Sequence, residues 1–147
     1  MRKYVFGGID PAQIADLREN VGWNRMEDAL RREEMANLIE IGFMEGERLI
    51  GYLCVVSNRA TDAYIQDVMV HPEYQGQGIG TGMMHLALAS IREKGIPMVS
   101  VIYGDESLRP FYEKFGFQYT HVSSLRINGV DMELRWYEVN RETFLRM

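Results

Sequence analysis

The sequence predicts an α/β fold in which helices flank a mixed sheet, and three observations carry that expectation. Apolar runs of strand length recur along the 147 residues. Between them lie segments of helical period, opened by capping residues and closed by glycine or proline. A glycine-rich loop also joins one apolar run directly to the longest amphipathic segment.

Lys3–Gly7 alternates as a short strand. Asp10-Pro11 reads as an N-cap followed by proline at the first helical position, and Ile14, Leu17 and Val21 follow at helical spacing. A helix over Pro11–Val21 that ends near Gly22 is expected. Asn24-x-x-Glu27 resembles a capping box, predicting a second helix to about Met35. Leu38–Glu45 and Arg48–Ser57 flank Glu45-Gly46-Glu47 as a hairpin, and Asn58–Asp62 is polar and turn-like.

Ala63–Val70 is the next strand. Gly78–Lys94 is the central helix, with Ile79, Met83, Leu86, Ala87, Ser90 and Ile91 on one face and Gly95 and Pro97 as its stop. Met98–Tyr103 is a further apolar strand. Ser107 is placed to cap a short helix through Phe115, which Gly116 ends. Phe117–Ile127 and Val130–Val139 flank Asn128-Gly129, a two-residue hairpin turn. The order is β-α-α-β-β-β-α-β-α-β-β, and without repeats or linkers a single domain over 1–147 is expected.

Composition excludes several function classes. Hydrophobic residues make up 46% and charged residues 25%, as in ordinary globular proteins. A formal net charge of −5 with no dense Lys/Arg run argues against a nucleic-acid partner. No stretch is apolar enough for a membrane span and Met1–Gly8 lacks a signal-peptide core, so no membrane role and a cytoplasmic location are expected. Cys54, the one cysteine, sits in an apolar run and reads as a buried hydrophobe rather than a nucleophile. His71, His85 and His121 show no metal-ligand spacing with each other or with Cys54, so no metal is expected.

The chemistry concentrates in Val68-Met-Val-His-Pro-Glu-Tyr-Gln-Gly-Gln-Gly-Ile-Gly80. Alternate glycines let bare backbone approach another molecule, and the loop opens a helix whose first N–H groups favour an anion. A dinucleotide fingerprint G-x-G-x-x-G fails, because Thr81, Met83 or His85 falls at the last glycine position. A Walker loop fails for want of Gly-Lys-Ser/Thr. Gln75-x-x-Gly78-x-Gly80 fits a third pattern. It resembles the pyrophosphate loop, Q/R-x-x-G-x-G/A, of the Gcn5-related N-acetyltransferase superfamily. Two further segments extend the resemblance. Ile65–Gly80 is similar to the family's fourth strand and loop, and Phe111-Tyr-Glu-Lys-Phe-Gly-Phe117 to its second signature. Leu17-Arg-Glu-Asn-Val-Gly-Trp23 resembles, less specifically, a bacterial subgroup.

The resemblance implies the acyl-CoA N-acyltransferase fold, with a mixed, mostly antiparallel central sheet, and acetyl transfer from acetyl-CoA to a primary amine. It implies that backbone at Gln75, Gly76, Gln77, Gly78, Ile79 and Gly80 holds the pyrophosphate, with Met69 and Val70 pairing the pantetheine arm. A backbone N–H of Val68 or Met69 is the implied oxyanion donor. Tyr112 is implied as the general acid for the departing thiolate, a role that suits a phenol protonated at neutral pH. Asp105 stands where the family often places an asparagine against the cofactor.

An alkylammonium must lose a proton before it attacks, so a base or water relay is required. Asp67 is the candidate base, with Gln66 beside it able only to orient; a structural Asp67 is an equal alternative. For the acceptor, a small-molecule or peptide amine, the chain offers Trp23, Glu27, Glu33, Glu34, Tyr64 and Trp136. These residues do not choose among amines. A second class stays open: a non-catalytic acyl-CoA sensor with the same loop. Val130–Val139 mixes apolar and charged residues, the pattern of an edge strand that could pair across a homodimer.

Overall fold

The structure is a computed structural model and describes residues 1–103, 106–127 and 130–139. Its strands are β1 (Arg2–Phe6), β2 (Ile39–Glu45), β3 (Arg48–Ser57), β4 (Asp62–Val70), β5 (Met98–Tyr103), β6 (Gln118–Ile127) and β7 (Val130–Val139). Its α-helices are α1 (Pro11–Asn20), α2 (Glu27–Leu30), α3 (Ile79–Glu93) and α4 (Arg109–Glu113). The hydrogen-bonded strand order is β1-β2-β3-β4-β5-β7-β6. β1/β2, β2/β3, β5/β7 and β6/β7 are antiparallel, and β4/β5 is parallel. This is the mixed, mostly antiparallel sheet expected. No helix among the described residues is long and apolar enough to cross a membrane.

The chain divides into two compact units, Met1–Val56 with Gln66–Ser90, and Ser57–Ile65 with Ile91–Met147. In the first, Asp10 caps α1 as its sequence implies, its Oδ1 accepting from Ala12 N at 2.9 Å. Ile14, Ala15 and Leu17 line the buried side of α1. Ile14 and Leu17 join Leu49, Tyr52, Cys54 and Met69 in one apolar cluster, which fixes α1 against β3 and the end of β4. Each large side chain so buried contributes about 1.5–3 kcal/mol. The β2–β3 hairpin closes as read, with Glu45 opposite Arg48 and Gly46 at φ 60°.

The second helix differs from expectation. α2 is four residues long, and its N-cap is Met26 at φ 52° with no side-chain cap bond. The carboxylate of the expected capping box, Glu27, is engaged elsewhere. Glu27 accepts from Arg25 at 2.9 Å and from Arg31 at 2.9 Å, while the Asn24 carbonyl accepts from Arg18 Nε at 2.6 Å. The run Arg31–Glu34 then supplies no apolar face to bury.

α3 buries Ile79, Met83, Ala87 and Ile91 as read, but the face is turned toward Met84 and Leu88, which are buried, and Leu86 and Ser90 are only half-buried. Close approach depends on two glycines. A Cβ at Gly51 would lie 3.0 Å from Ile79 Cγ2, and one at Gly82 only 1.9 Å from the Tyr4 hydroxyl. Replacing Gly82 by alanine is therefore expected to lower stability by about 1–3 kcal/mol through overpacking. This holds although alanine outranks glycine in helices by about 1 kcal/mol. In a Tyr4→Leu background the sign should reverse, which paired thermal melts check.

In the second unit, Asp62–Ile65 of β4 pairs with Met98–Val101 of β5. Asn58 Oδ1 organises the preceding turn, accepting from Ala60 N at 3.0 Å and Thr61 N at 2.9 Å. α4 follows a short 3-10 turn, Glu106–Leu108, and its N-cap is Leu108 rather than Ser107. Phe115 and Phe117 are buried, with Gly116 between them at φ 92°. Ile127 pairs with Val130; the expected Asn128-Gly129 turn lies outside the described residues. β7 pairs with β5 on one side and β6 on the other. That overturns its reading as an edge strand available to a homodimer, because both of its ladders are already taken.

Candidate active site

The glycine loop runs from the end of β4 to α3. It begins with a 3-10 turn, Pro72–Tyr74, that His71 caps by accepting from Glu73 N through Nδ1 at 3.1 Å. His71 is buried, its N–H donating to the Ile50 carbonyl at 2.8 Å and its Nε2 lying 3.1 Å from Arg48 Nη2. Its role is structural, holding the loop's entrance to β3.

Gly76 and Gly78 adopt φ 80° and 82°, the left-handed region where glycine alone is free of Cβ strain. The space a Cβ would occupy at either is open to 4 Å. The first intrahelical bond runs from Gly82 N to Gly78 O at 3.0 Å, so the N–H groups of Ile79 and Gly80 lie ahead of the ladder. They stand at the positive end of a 15-residue helix. Open glycine backbone at a helix N-terminus is a surface that fits a pyrophosphate.

Side chains brace this loop rather than fill it. Gln75 turns back, its Nε2 donating to the Val70 carbonyl at 3.0 Å. Gln77 Oε1 accepts from Arg2 Nη1 at 2.8 Å. Arg2 Nε also bonds Glu45 Oε1 at 2.9 Å, and the Tyr74 hydroxyl donates to Glu45 Oε2. The Tyr74 and Arg2 bonds hold the Glu45 carboxyl below its usual range. Arg2 and Glu45 were invisible to sequence reasoning, since they come from β1 and the β2–β3 hairpin and share no motif with the loop.

Upstream, Met69 is 2% exposed, and its side chain in the α1 cluster fixes the peptide leading to Val70. Val68 and Val70 are half-buried. Asp67 departs from strand geometry at φ 55°, a left-handed aspartate inside β4. Its Oδ2 accepts from Arg18 Nη1 at 3.2 Å, with side-chain exposures of 12% for Arg18 and 26% for Asp67. Beside it, the Gln66 carbonyl accepts from Cys54 Sγ at 3.7 Å. Burial pushes the Cys54 thiol up to about 12, so it is no thiolate nucleophile at neutral pH.

Of the acceptor candidates, Trp23 is 42% exposed and lies over Arg18, whose Cζ is 5.4 Å from its ring centre. Glu27 is held by Arg25 and Arg31, Glu34 bonds Arg32 at 3.3 Å, and Glu33 is exposed. Tyr64 is half-buried in the first part of β4, and Trp136 belongs to β7, opposite Ile102 of β5. Thus Asp67 and Trp23 meet on one guanidinium, whereas Glu27, Glu33 and Glu34 do not reach it.

Tyr112 belongs to the other unit. It is buried in α4, with Phe111 at 5.0 Å and Phe117 at 6.4 Å between ring centres, both edge-on. Burial pushes its phenol up to about 12, so it keeps its proton throughout the neutral range. Asp105 lies outside the described residues. Among the described residues no group of three or more His, Cys, Asp or Glu side chains could hold a metal ion.

Comparison with known proteins bears on the fold and the family. An uncharacterized ycf52-like N-acetyltransferase from Prochlorococcus marinus is 33% identical over 116 residues, 74% of this chain and 63% of that relative. The chain thus spans less than two thirds of that protein's length. Among solved structures, a probable acetyltransferase from methicillin-resistant Staphylococcus aureus superposes with a TM-score of 0.76 at 25% identity, over 87% of this chain and 99% of the other. A GNAT-family acetyltransferase from Elizabethkingia anophelis, with acetyl-CoA bound, shares the fold with a TM-score of 0.71 at 14% identity, covering 95% and 97% of the two chains. Residues 9–117 match the acetyltransferase (GNAT) family as a whole, and the chain belongs to that family.

Proposed function

We propose that this chain transfers the acetyl group of acetyl-CoA directly to a primary amine of a small molecule or peptide. The observation that carries the reading is the open Gly76/Gly78 backbone at the N-terminus of α3, reached straight from a strand that presents a half-buried carboxylate. Backbone at Gln75, Gly76, Gln77, Gly78, Ile79 and Gly80 takes the pyrophosphate of the donor. The contribution of Gln75 and Gln77 is their main chain, because their side chains are spent on Val70 and Arg2. Val68, Met69 and Val70 offer main-chain groups to the pantetheine arm as an added strand would. The N–H of Val68 or Met69 donates to the thioester oxygen as charge develops there.

The donor supplies an activated thioester, so no covalent link to the protein is required. Asp67 accepts the ammonium proton directly or through water, and Tyr112 returns a proton to the thiolate that leaves. Both roles follow the family resemblance of their segments. A sensor that binds acyl-CoA without transfer has one observation in its favour: Asp67 is already ion-paired with Arg18. Calorimetry with acetyl-CoA, run beside free-thiol release over a broad amine panel, separates the two. Transfer predicts binding and amine-dependent thiol release; binding with no acetyl loss on any amine establishes the sensor instead.

A further inference from the structure

Arg18 makes contacts to four residues around the site. Nε donates to the Asn24 carbonyl at 2.6 Å, Nη1 bonds Asp67 Oδ2 at 3.2 Å, and Nη2 lies 3.3 Å from Met26 Sδ. Its guanidinium also lies against Trp23. Two of these partners, Met26 at φ 52° and Asp67 at φ 55°, occupy the left-handed region that L residues rarely adopt. The third such non-glycine residue among those described is Arg59, in the turn after β3. Strain of this kind persists only where surrounding contacts over-determine it. Here both strained residues are held by the same side chain, itself 12% exposed.

The arrangement faces outward at its edges. Trp23 is 42% and Met26 53% exposed, beside a carboxylate whose side chain is 26% exposed. We propose that Arg18 is a positioning residue for the acceptor side, tying the Trp23–Met26 connection to Asp67 so that the carboxylate and these apolar side chains present one surface to the amine. The proposal rests on the acetyl-transfer reading. Arg18 touches Asp67 and not the reacting atoms, and its fork geometry is what a lysine cannot reproduce.

The test compares Arg18→Gln, Arg18→Lys and Asp67→Asn, with kinetics on the otherwise unmodified chain and emission read in a Trp136→Phe background that leaves Trp23 as the sole indole. With acetyl-CoA saturating, Arg18→Gln should raise acceptor KM by about tenfold or more while acetyl-CoA Kd stays within about twofold. Arg18→Lys should recover part of the loss by restoring the charge opposite Asp67. Asp67→Asn should shift Trp23 emission when Arg18 is present and not in the Arg18→Gln variant, a coupling the double-mutant comparison isolates. Unchanged acceptor KM and emission in Arg18→Gln would overturn the proposal, as would an equal loss of acetyl-CoA affinity. If the unmodified protein acetylates no amine, the transfer reading fails, and the Trp23 coupling alone decides for or against the positioning of this connection.

Discussion

Replacing Tyr112 by phenylalanine lowers kcat by about 100-fold or more, the usual worth of a general acid, while acetyl-CoA Kd changes by no more than about twofold. The expectation rests on separating ring from hydroxyl. The ring is held edge-on by Phe111 and Phe117, contacts that phenylalanine keeps. The hydroxyl carries the proton proposed for the leaving thiolate, and burial holds its pKa at about 12. Hence no loss of activity on the alkaline side should trace to Tyr112 until the pH approaches that value. Stability gives a second readout of known sign. The phenol titrates near ~10 when unfolded and about 12 when folded. The folded state therefore keeps this contribution in full below pH ~10 and loses it as the pH rises from there toward 12. The Phe variant should lose less melting temperature over that interval than the unmodified protein. Steady-state kinetics, calorimetry and alkaline melts check the three parts; a kcat unchanged by the substitution removes Tyr112 from the mechanism.

Replacing Gly78 by valine raises acetyl-CoA Kd by about 100-fold or more. Gly78 sits at φ 82°, where an L residue is disfavoured by roughly 1–2 kcal/mol. The space beside it, open to 4 Å, is where the side chain would stand between backbone and pyrophosphate. Displacing even two charge-assisted backbone hydrogen bonds, at about 1.5–3 kcal/mol each, accounts for the loss. The loop is exposed at this point, so the fold should survive with a modest drop in melting temperature. Gly78→Ala serves as a gentler companion, with an intermediate Kd. A valine variant that folds and binds acetyl-CoA like the unmodified protein would move the pyrophosphate site elsewhere.

Much of the fold was legible because its determinants are local. The Asp10 cap, the Gly46 hairpin, the apolar face of α3 and the glycine loop each depend on neighbours within a turn or two of chain. The departures are long-range or competitive. α2 is short where Glu27 found arginine partners in place of the capping box. β7 lies between β5 and β6 because strand order is set by which ladders form across the sheet, and alternation within one strand says nothing of its neighbours.

The site divides along the same line. Its main-chain part, the Gly76–Gly80 cradle, was legible since glycine spacing encodes backbone conformation. Its side-chain part was only half visible. Asp67 could be nominated, but its partner Arg18 lies 49 positions away, in the Leu17–Trp23 segment, and nothing in that segment's pattern ties it to β4. Nor does any local pattern require a left-handed residue at Asp67, although aspartate tolerates that region better than most. Arg2, whose Nη1 bonds the Gln77 side chain in the loop from 75 positions away, was hidden for the same reason.

Mass balance on a broad amine panel, including peptides, tests the central claim most directly. Acetyl-CoA, the protein and each amine are incubated together, and acceptor and donor are both read by mass spectrometry. The account predicts that at least one amine gains an acetyl group in step with the free CoA thiol released. Acetyl-CoA that binds but leaves every amine unmodified, with no thiol beyond the protein-free rate, would contradict it.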